Sequence, residues 1–550
     1  MIEDAGDLPA GSVIEADLCI IGAGPAGLAL AREFLAASSL RVVVLESGAQ
    51  GVAPEPQRLS DGAESVGLLH RGHASTGRAR AFGGTGRLWA GQCLPLDDID
   101  FEARPWVPHS GWPMPASALA PYMPRAEAFF HVEGATYDEQ AYAQFRLTPP
   151  PWSPDALRTT FTVYTPRIDI GAARLDEFRR AALVRVLLNA VVTGIETNTG
   201  ATAIEGVRLL SPGGQASRIR ARTIALCAGG LENARLLLLS GVLSGAARPN
   251  GLGNDRDLVG RFFQEHPNGV TATLVPPDDA ACADLQDRFR LLYGRGGRRY
   301  FPKFALGEAT QRREQVLNCN AHLVFDYPET SAQPVLREIV NAVRQRRLPA
   351  VPLRRVASLA GAAGEIGSAA ARRYLRGLSP RGRPTAVRLQ CYLEQAPNPD
   401  SRVQLSPTVR DVVGLPALRI DWRMTELERR TLQVMTDAAS AEFARLGLGR
   451  MEAATWLREP GADWRARLSD SNHHIGTTRM AANPSAGVVG PDCGVFGVAG
   501  LYIAGSSVFP TSGYANPTLA MVALALRLAD ELKLQLARRV RNERVADAAA

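Results

Sequence analysis

Three glycines and one acid near the start of the chain have the spacing of a nucleotide-binding turn. Gly22, Gly24 and Gly27 form a G-x-G-x-x-G pattern, and Glu46 follows about twenty residues later. The first glycine permits a tight turn, the second lets the backbone approach a pyrophosphate, and the third lets a helix pack closely on a strand. A carboxylate at position 46 can accept hydrogen bonds from a ribose diol. The spacing therefore predicts a dinucleotide site, with a glycine-rich turn in another α/β protein as the alternative.

The elements expected around these glycines complete the unit. Residues 18–21 form a short apolar run typical of a buried parallel strand, residues 25–37 have a helical pattern, and residues 41–45 form a second apolar run. The helix starts directly after the second glycine, so its free N–H groups and partial positive charge would face a phosphate.

Two segments near the C-terminus combine polar side chains with glycine turns. Ser471–Met480 contains the adjacent histidines His473 and His474. Leu501–Leu519 reads as a strand, a Gly–Ser turn, a loop and a helix. The helix is expected to open at Asn516–Pro517, because Asn is a favoured N-cap and Pro a favoured first helical residue.

The composition is that of a large globular protein. The chain has 550 residues, of which 46% are hydrophobic and 21% charged, so two domains are expected. The formal net charge is +7, but the positive charge is nearly all arginine, since Lys303 and Lys533 are the only lysines. Together with abundant Ala and Gly, this bias favours a GC-rich bacterial genome rather than a nucleic-acid partner.

Cysteine usage and hydropathy bear on the cellular compartment and on metal or membrane sites. The seven cysteines are scattered singly, without the spacing of metal ligands. The N-terminus is acidic and lacks an apolar signal region, and no apolar run is long enough to span a membrane. We therefore expect a cytoplasmic protein with no metal site, no transmembrane segment and no element that reads nucleic acid.

Beyond these local patterns, the chain resembles the glucose–methanol–choline (GMC) oxidoreductase family over most of its length. The form Gly-Gly-Thr-x-x-x-Trp, together with the pairing of a histidine with an asparagine, resembles the pyranose-oxidase branch, which contains sugar oxidases and dehydrogenases. Besides the N-terminal fingerprint and the two C-terminal segments, the resemblance rests on Gly83–Gly91, Ala228–Leu236, Gly260–Pro267 and Glu394–Arg402.

The resemblance implies an FAD-dependent oxidation of an alcohol, a secondary hydroxyl of a sugar or glycoside, to a carbonyl. It selects His473, three positions before the Gly of a Gly–Thr pair, as the base that takes the hydroxyl proton while hydride goes to flavin N5. Asn516 stands at the partner position and would hold the substrate oxygen. Three alternatives stay open: a role for His474, a structural role for His266, and a purely capping role for Asn516.

The same resemblance assigns the cofactor site. The helix start after Asn516 would place partial positive charge at the flavin edge that becomes negative on reduction, with Thr518 at the pyrimidine edge. Leu88 stands where a pyranose oxidase can carry a histidine linked to the flavin, so non-covalent FAD is expected. The residues expected to bind FAD are Gly22, Gly24, Gly27, Glu46, Arg80, Gly83, Gly84, Thr85, Trp89, Gly91, Val191, Ala228, Gly229, Ala504, Gly505, Asn516 and Thr518.

The predicted fold class is α/β with an α+β substrate domain. A discontinuous, Rossmann-like FAD-binding domain is assigned to residues 1–110, 181–272 and 468–540. The substrate-binding domain, with a mainly antiparallel sheet, is assigned to residues 111–180 and 273–467, and residues 541–550 are expected to be a frayed tail. Strand patterns in the substrate domain cover residues 316–325, 387–394, 402–405 and 418–422.

An arginine-rich insert, residues 341–383, contains ten arginines and a single acid, Glu365. It is either a solvated helical face or a docking surface for an anionic partner, such as a membrane surface, an acidic electron-acceptor protein or a phosphorylated substrate.

Several functional alternatives stay open at this point. They are oxidation of a sterol or natural-product hydroxyl, a non-redox flavoprotein such as a hydroxynitrile lyase, and a nicotinamide-dependent dehydrogenase. The electron acceptor, O2 or another molecule, and the oligomeric state are open as well.

Overall fold

A six-stranded parallel sheet, here called the central sheet, collects strands from the two ends and the middle of the chain. The computed structural model describes residues 1–36, 40–68, 73–243, 248–328 and 363–549. The predicted strand over 18–21 is observed at those residues, and both it and its neighbour Val42–Leu45 are fully buried, as expected of inner parallel strands. The strand order is Ile2–Asp4, Val184–Leu188, Val42–Leu45, Leu18–Ile21, Ile224–Leu226 and Leu501–Ile503.

A second, eight-stranded sheet, the large sheet, is antiparallel throughout. One face packs on the helix Glu426–Arg445 through side chains such as Phe304 and Leu432, and the other face looks toward the central sheet. The predicted combination of a parallel and a mainly antiparallel sheet is confirmed. The strands of the large sheet are, in spatial order, Arg450–Ala453, Asn268–Val275, Ala386–Leu393, Cys319–Asp326, Arg299–Leu306, Leu157–Tyr164 and Gln92–Cys93. The eighth strand, Leu292–Tyr293, pairs with Arg299–Leu306.

Two smaller sheets flank these. One contains a strand, Glu64–Gly67, inside the stretch 50–80 that the sequence indicated as loop. Its partner Pro416–Trp422 lies about 350 residues further along the chain, and a short strand stabilised by so distant a pairing has no local sequence pattern. The smaller sheets are Val13–Ala16, Ala216–Ala221, Ile204–Leu210 and Val191–Thr197, and Arg402–Arg410, Pro416–Trp422 and Glu64–Gly67.

Helices cover the central sheet and the outer face of the large sheet. The last helix begins at Thr518 and continues to Ala549, so residues 541–549 are helical where a frayed tail was expected. Ala and Arg dominate this extension, and both are strong helix formers. The α-helices are Pro25–Arg32, Pro54–Gln57, His73–Thr76, Met123–Phe130, Ile170–Arg179, Gly229–Leu243, Asp279–Phe289, Glu308–Glu314, Ala363–Arg376, Glu426–Arg445, Thr455–Arg458 and Thr518–Ala549.

None of the helices in the described ranges is both long enough and apolar enough to cross a bilayer. The arginine-rich insert falls partly outside the described residues, which exclude 329–362 and hence five of its arginines. Of those that are described, Arg372 and Arg381 both pair with Asp287, which neutralises part of the insert's positive charge. The five arginines that lie outside the described residues are Arg344, Arg346, Arg347, Arg354 and Arg355.

Candidate active site

A cavity of about 770 Å3 lies between the carboxyl ends of the central strands and the inner face of the large sheet. This is where parallel α/β sheets bind ligands, because loops diverge beyond the strand ends. Gly27, Gly83 and Gly91 do not line it. The predicted residues that do line it are Gly22, Gly24, Glu46, Arg80, Gly84, Thr85, Trp89, Val191, Ala228, Gly229, His473, Ala504, Gly505, Asn516 and Thr518.

The glycine turn supports the cavity by close backbone packing. A Cβ at Gly27 would lie 1.9 Å from the carbonyl oxygen of Gly22, so only glycine lets the helix Pro25–Arg32 approach the strand before it. A Cβ at Gly84, which has a left-handed φ of +53°, would lie 2.7 Å from Cα of Gly24. By contrast, a Cβ at Gly24 meets nothing nearer than 4.0 Å, so space beside this residue is left open. That open space at a helix N-terminus suits a pyrophosphate.

Glu46 lies at the end of the strand Val42–Leu45 and is buried. It accepts hydrogen bonds from the backbone N–H groups of Ala23 at 3.1 Å and Gly48 at 2.8 Å. Burial raises the pKa of its carboxyl group, while these N–H donors act in the opposite direction. The carboxylate thus ties the glycine turn to the strand end and still borders the cavity.

A buried cluster of charged side chains lies beside Glu46. Of its members, only Arg80 was predicted from the sequence as a site residue. Arg78 and Arg80 donate to one carboxylate oxygen of Glu232 at 2.7 and 2.9 Å, and Arg235 donates to the other at 3.3 Å. Burial alone would raise the pKa of Glu232, but the three guanidinium groups hold it well below its usual range. Glu232 stands in the Ala228–Leu236 motif, which marked the segment but not this role.

The opposite end of the cavity brings His473 and Asn516 together. Nε2 of His473 lies 3.4 Å from Nδ2 of Asn516, and its Nδ1 lies 2.7 Å from Nδ1 of His266. Because the two imidazole nitrogens are within hydrogen-bond distance, one ring must donate and the other accept. The other ring nitrogen of His266, Nε2, is buried and has no hydrogen-bond partner among the described residues.

The backbone around His473 is held by a buried carboxylate. Glu265 Oε2 accepts from the backbone N–H groups of His473 at 2.7 Å and Ser471 at 3.3 Å. Asn472, between them, has a left-handed φ of 56°, which Asn tolerates better than most residues. His474 borders the same cavity, but its Nε2 lies 3.8 Å from the other Glu265 oxygen, and among the two adjacent histidines it is His473 that meets Asn516.

Burial keeps the histidines of this cluster neutral. It lowers the pKa of His473 well below the ordinary 6.5, and the nearby His266 and Lys303 lower it further. Burial likewise lowers the pKa of His266 to about 4. A neutral imidazole has a free lone pair, so His473 is in the protonation state that a base requires.

Comparison with known proteins relates the C-terminal part of the chain to one protein family. Residues 397–525, which contain His473 and Asn516, match the family model of the GMC oxidoreductases. This part of the chain is therefore similar to the GMC oxidoreductases. The match agrees with the resemblance stated from the motifs. The GMC oxidoreductases are FAD-binding flavoproteins, which agrees with the FAD prediction.

Individual relatives of this chain differ in name and in extent of similarity. A C-glycoside 3-oxidase of Arthrobacter globiformis is 38% identical over 141 residues, which cover 25% of each chain. A 2-methyl-1,2-propanediol dehydrogenase of Mycolicibacterium austroafricanum is 24% identical, over 94% of this chain and 95% of its own. A crystal structure of formate oxidase superimposes with a TM-score of 0.56 at 15% identity, over 96% of this chain and 99% of its own. The match to the curated C-glycoside 3-oxidases spans about a quarter of their length, whereas the fold is shared over nearly the whole chain.

Proposed function

We propose that this chain is a GMC oxidoreductase that binds FAD without a covalent link and oxidises a secondary hydroxyl of a sugar or glycoside to a carbonyl. The observation that carries the proposal is the contact of His473 with Asn516 in the wall of the cavity that also contains the glycine turn. A base and an amide side by side suit a hydroxyl group, because one can take its proton while the other holds its oxygen.

The hydrogen-bond chain supports His473 Nε2 as the base. If His266 holds its proton on Nε2, its Nδ1 accepts a hydrogen bond from His473 Nδ1. His473 Nε2 then carries no proton and faces the amide of Asn516. The substrate hydroxyl would donate to this nitrogen and transfer its proton there as the carbonyl forms.

The cofactor would be held along the length of the cavity. Glu46 would accept from the ribose, Gly24 and the N-terminus of Pro25–Arg32 would face the pyrophosphate, and the start of the helix at Thr518 would lie near the ring system. Bound FAD would supply the hydride acceptor. Leu88 borders the cavity and has no group that can bond covalently to a flavin, which supports non-covalent binding.

The substrate class is supported by relatives and by the cavity wall. Relatives of this chain are named C-glycoside 3-oxidase, fructose dehydrogenase and paromamine 6'-oxidase. The large sheet contributes aromatic side chains to the cavity, among them Tyr164, Phe301 and Tyr392, and such faces can bury the apolar side of a sugar ring. The electron acceptor, O2 or another molecule, is part of what the experiment below resolves.

Anaerobic mixing with a panel of sugars and glycosides tests the proposal. A true substrate bleaches the flavin absorbance, and air or a quinone then restores it. We expect His473→Ala to slow the bleaching by about 10²- to 10⁴-fold while FAD stays bound. His131→Asn is the matched control, because His131 lies outside the cavity wall and Asn tolerates its left-handed φ of 58°. A yellow enzyme that no sugar, glycoside or other alcohol bleaches would contradict the proposal and favour a non-redox flavoprotein.

A further inference from the structure

One of the only two lysines in the chain is buried in the wall of the candidate active site. Lys303 lies in the strand Arg299–Leu306 of the large sheet, is 6% exposed and borders the cavity. Burial lowers its pKa to about 8, so the ammonium group still carries its charge at neutral pH. The other lysine, Lys533, is half-buried at the surface and pairs with Glu33 at 2.8 Å.

Four neighbouring side chains on the inner face of the large sheet, here called the shelf, border the cavity. They are Lys303, Phe301, His322 and Tyr392. Phe301 precedes Lys303 by two residues and lies on the same face of the sheet. Phe304, directly after Lys303, points into the core on the opposite face. His322 packs between Phe301 and Tyr392, with ring centroids 4.8 and 5.6 Å apart. The Lys303 ammonium lies 5.4 Å from the centroid of the Tyr392 ring. This ring contact stabilises the cation in part, but no described residue accepts a hydrogen bond from its three N–H donors.

No acid in the described part of the chain balances this charge. Among the described residues, none forms an ion pair or side-chain hydrogen bond with the Lys303 ammonium. The titratable groups on which its charge acts are His473, His266 and His322, and burial lowers the pKa of each, the last to about 3. All three are therefore neutral at physiological pH. Nδ1 of His322 is itself buried without a hydrogen-bond partner among the described residues.

An uncompensated cation and an unsatisfied imidazole in one buried wall indicate a place where a ligand would bind. Burying a charge without a partner is costly, and such groups are retained where a bound molecule completes them. Arg78 and Arg80, the cations at the other end of the cavity, are already paired with Glu232 and do not share this deficit. Such a ligand would lie beside His473, where the substrate is expected.

We propose that Lys303 binds a carboxylate of the substrate, so that the enzyme acts on acidic sugars or glycosides of the uronic-acid type. The inference rests on the proposed function, because it places the carboxylate on the molecule whose hydroxyl faces His473. One lysine supplies one compact positive charge, which matches a monoanionic carboxylate; a phosphate is usually met by an arginine fork or several donors. His322 would complete the shelf as a neutral hydrogen-bond partner.

The test compares two probes that differ only at C6, phenyl β-D-glucuronide and phenyl β-D-glucoside. Binding is measured by titration calorimetry on dithionite-reduced holoenzyme, which cannot accept a further hydride, so the result does not depend on turnover. We expect the wild type to bind the glucuronide at least about tenfold more tightly. Lys303→Met should weaken glucuronide binding by roughly 30-fold or more and leave glucoside binding within about threefold. Lys303→Arg should retain most of the preference, since it retains the charge.

A second readout is anaerobic flavin reduction by whichever probe reduces the enzyme. Lys303→Met should raise the half-saturating glucuronide concentration far more than it lowers the rate at saturation. Lys533→Met is the matched control, because it removes the only other lysine from a site outside the cavity wall and should change neither value.

Equal binding of the two probes by the wild-type enzyme would overturn the proposal, whether or not any variant folds. So would a glucuronide preference that survives Lys303→Met, or a variant whose only change is the flavin spectrum of the substrate-free enzyme. Failure of the proposed oxidation has a different signature, since carboxylate-dependent binding would then persist without any bleaching of the oxidised enzyme.

Discussion

His473 and His266 face each other through one hydrogen bond, and the direction of that bond decides which nitrogen of His473 is free. His266 is buried, with a pKa lowered to about 4, so it acts as a neutral partner rather than as a second acid. We therefore regard His266 as a positioning residue that selects the tautomer of His473 through their 2.7 Å contact.

Two substitutions of His266 should separate positioning from simple packing. His266→Leu removes the acceptor, and we expect the rate of flavin reduction to fall by about 10- to 100-fold, as for other residues that orient a reactive group. His266→Gln keeps an acceptor within reach and should recover part of that loss. The measurement is anaerobic stopped-flow reduction at saturating substrate, with FAD content as the control. Equal rates for the two variants would argue against the tautomer role.

The pH profile should report the buried base directly. Burial disfavours the imidazolium form of His473, so its pKa lies well below 6.5 and the neutral base persists at mildly acidic pH. With a neutral glycoside, we expect the reduction rate to be flat from about pH 6.5 upward and to fall only below that value. The groups facing His473 are His266, Asn516 and Lys303, and the loss of positive charge in Lys303→Met should shift the acid limb to higher pH. An acid limb centred above pH 7 in the wild type would contradict the assignment.

At the scale of elements, the glycine turn separates a packing function from a binding function. A side chain at Gly27 collides with the backbone of Gly22, whereas a side chain at Gly24 meets no atom nearer than 4.0 Å. Gly27 thus serves the contact between helix and strand, and Gly24 leaves room for a phosphate.

Alanine substitutions should distinguish these two functions. Gly27→Ala should destabilise the protein by about 1–3 kcal/mol through overpacking and weaken FAD binding as a consequence. Gly24→Ala should leave the melting temperature of the apoprotein unchanged yet still lower FAD affinity. Gly51→Ala, at a position with no atom within 4 Å, is the control and should stay within about 0.5 kcal/mol of wild type. Thermal melts of apoprotein and FAD titrations give both quantities; a Gly24→Ala apoprotein as unstable as Gly27→Ala would contradict the distinction.

At the scale of the whole molecule, a buried ion pair joins two distant segments. Arg104, which follows the strand Gln92–Cys93, pairs with Glu394 at the end of another strand of the large sheet. Arg104 is 2% exposed and Glu394, directly after the strand Ala386–Leu393, is 0% exposed. Arg104 Nη1 donates to Glu394 Oε2 at 2.8 Å, and the same oxygen accepts from the backbone N–H of Asn318 at 3.0 Å. The carboxylate has therefore exchanged water for this partner.

Removing the arginine should be costly because the carboxylate stays buried. We expect Arg104→Met to lower the free energy of unfolding by about 3–5 kcal/mol, and the double variant with Glu394→Leu to recover much of that loss. Arg450→Met, which breaks the exposed pair with Glu452, should change stability by less than about 1 kcal/mol. Urea unfolding monitored by tryptophan fluorescence measures all three; a single variant as stable as the double would show that the pair is not what holds this contact.

Local sequence patterns determined the parts of this protein that depend on residues close in the chain. The glycine turn, the two strands beside it, the helix that opens after Asn516 and the strand before it all carry such patterns, because periodicity, caps and turns act over a few residues. His473 and Asn516 were found because each stands in a motif of this kind, and the fold brings the two into contact.

Tertiary structure alone decided which distant residues meet. Lys303 faces His473 only because the register of the large sheet, in which Lys303 lies opposite Thr160, turns its side chain inward, and a shift of one residue would turn it into the opposite core. The same holds for Arg78, Glu232 and Arg235 in one charge cluster, and for the strand Glu64–Gly67 paired across most of the chain. Burial and pairing between distant segments set these positions and the pKa values that follow from them, and neither quantity is a property of a short stretch of sequence.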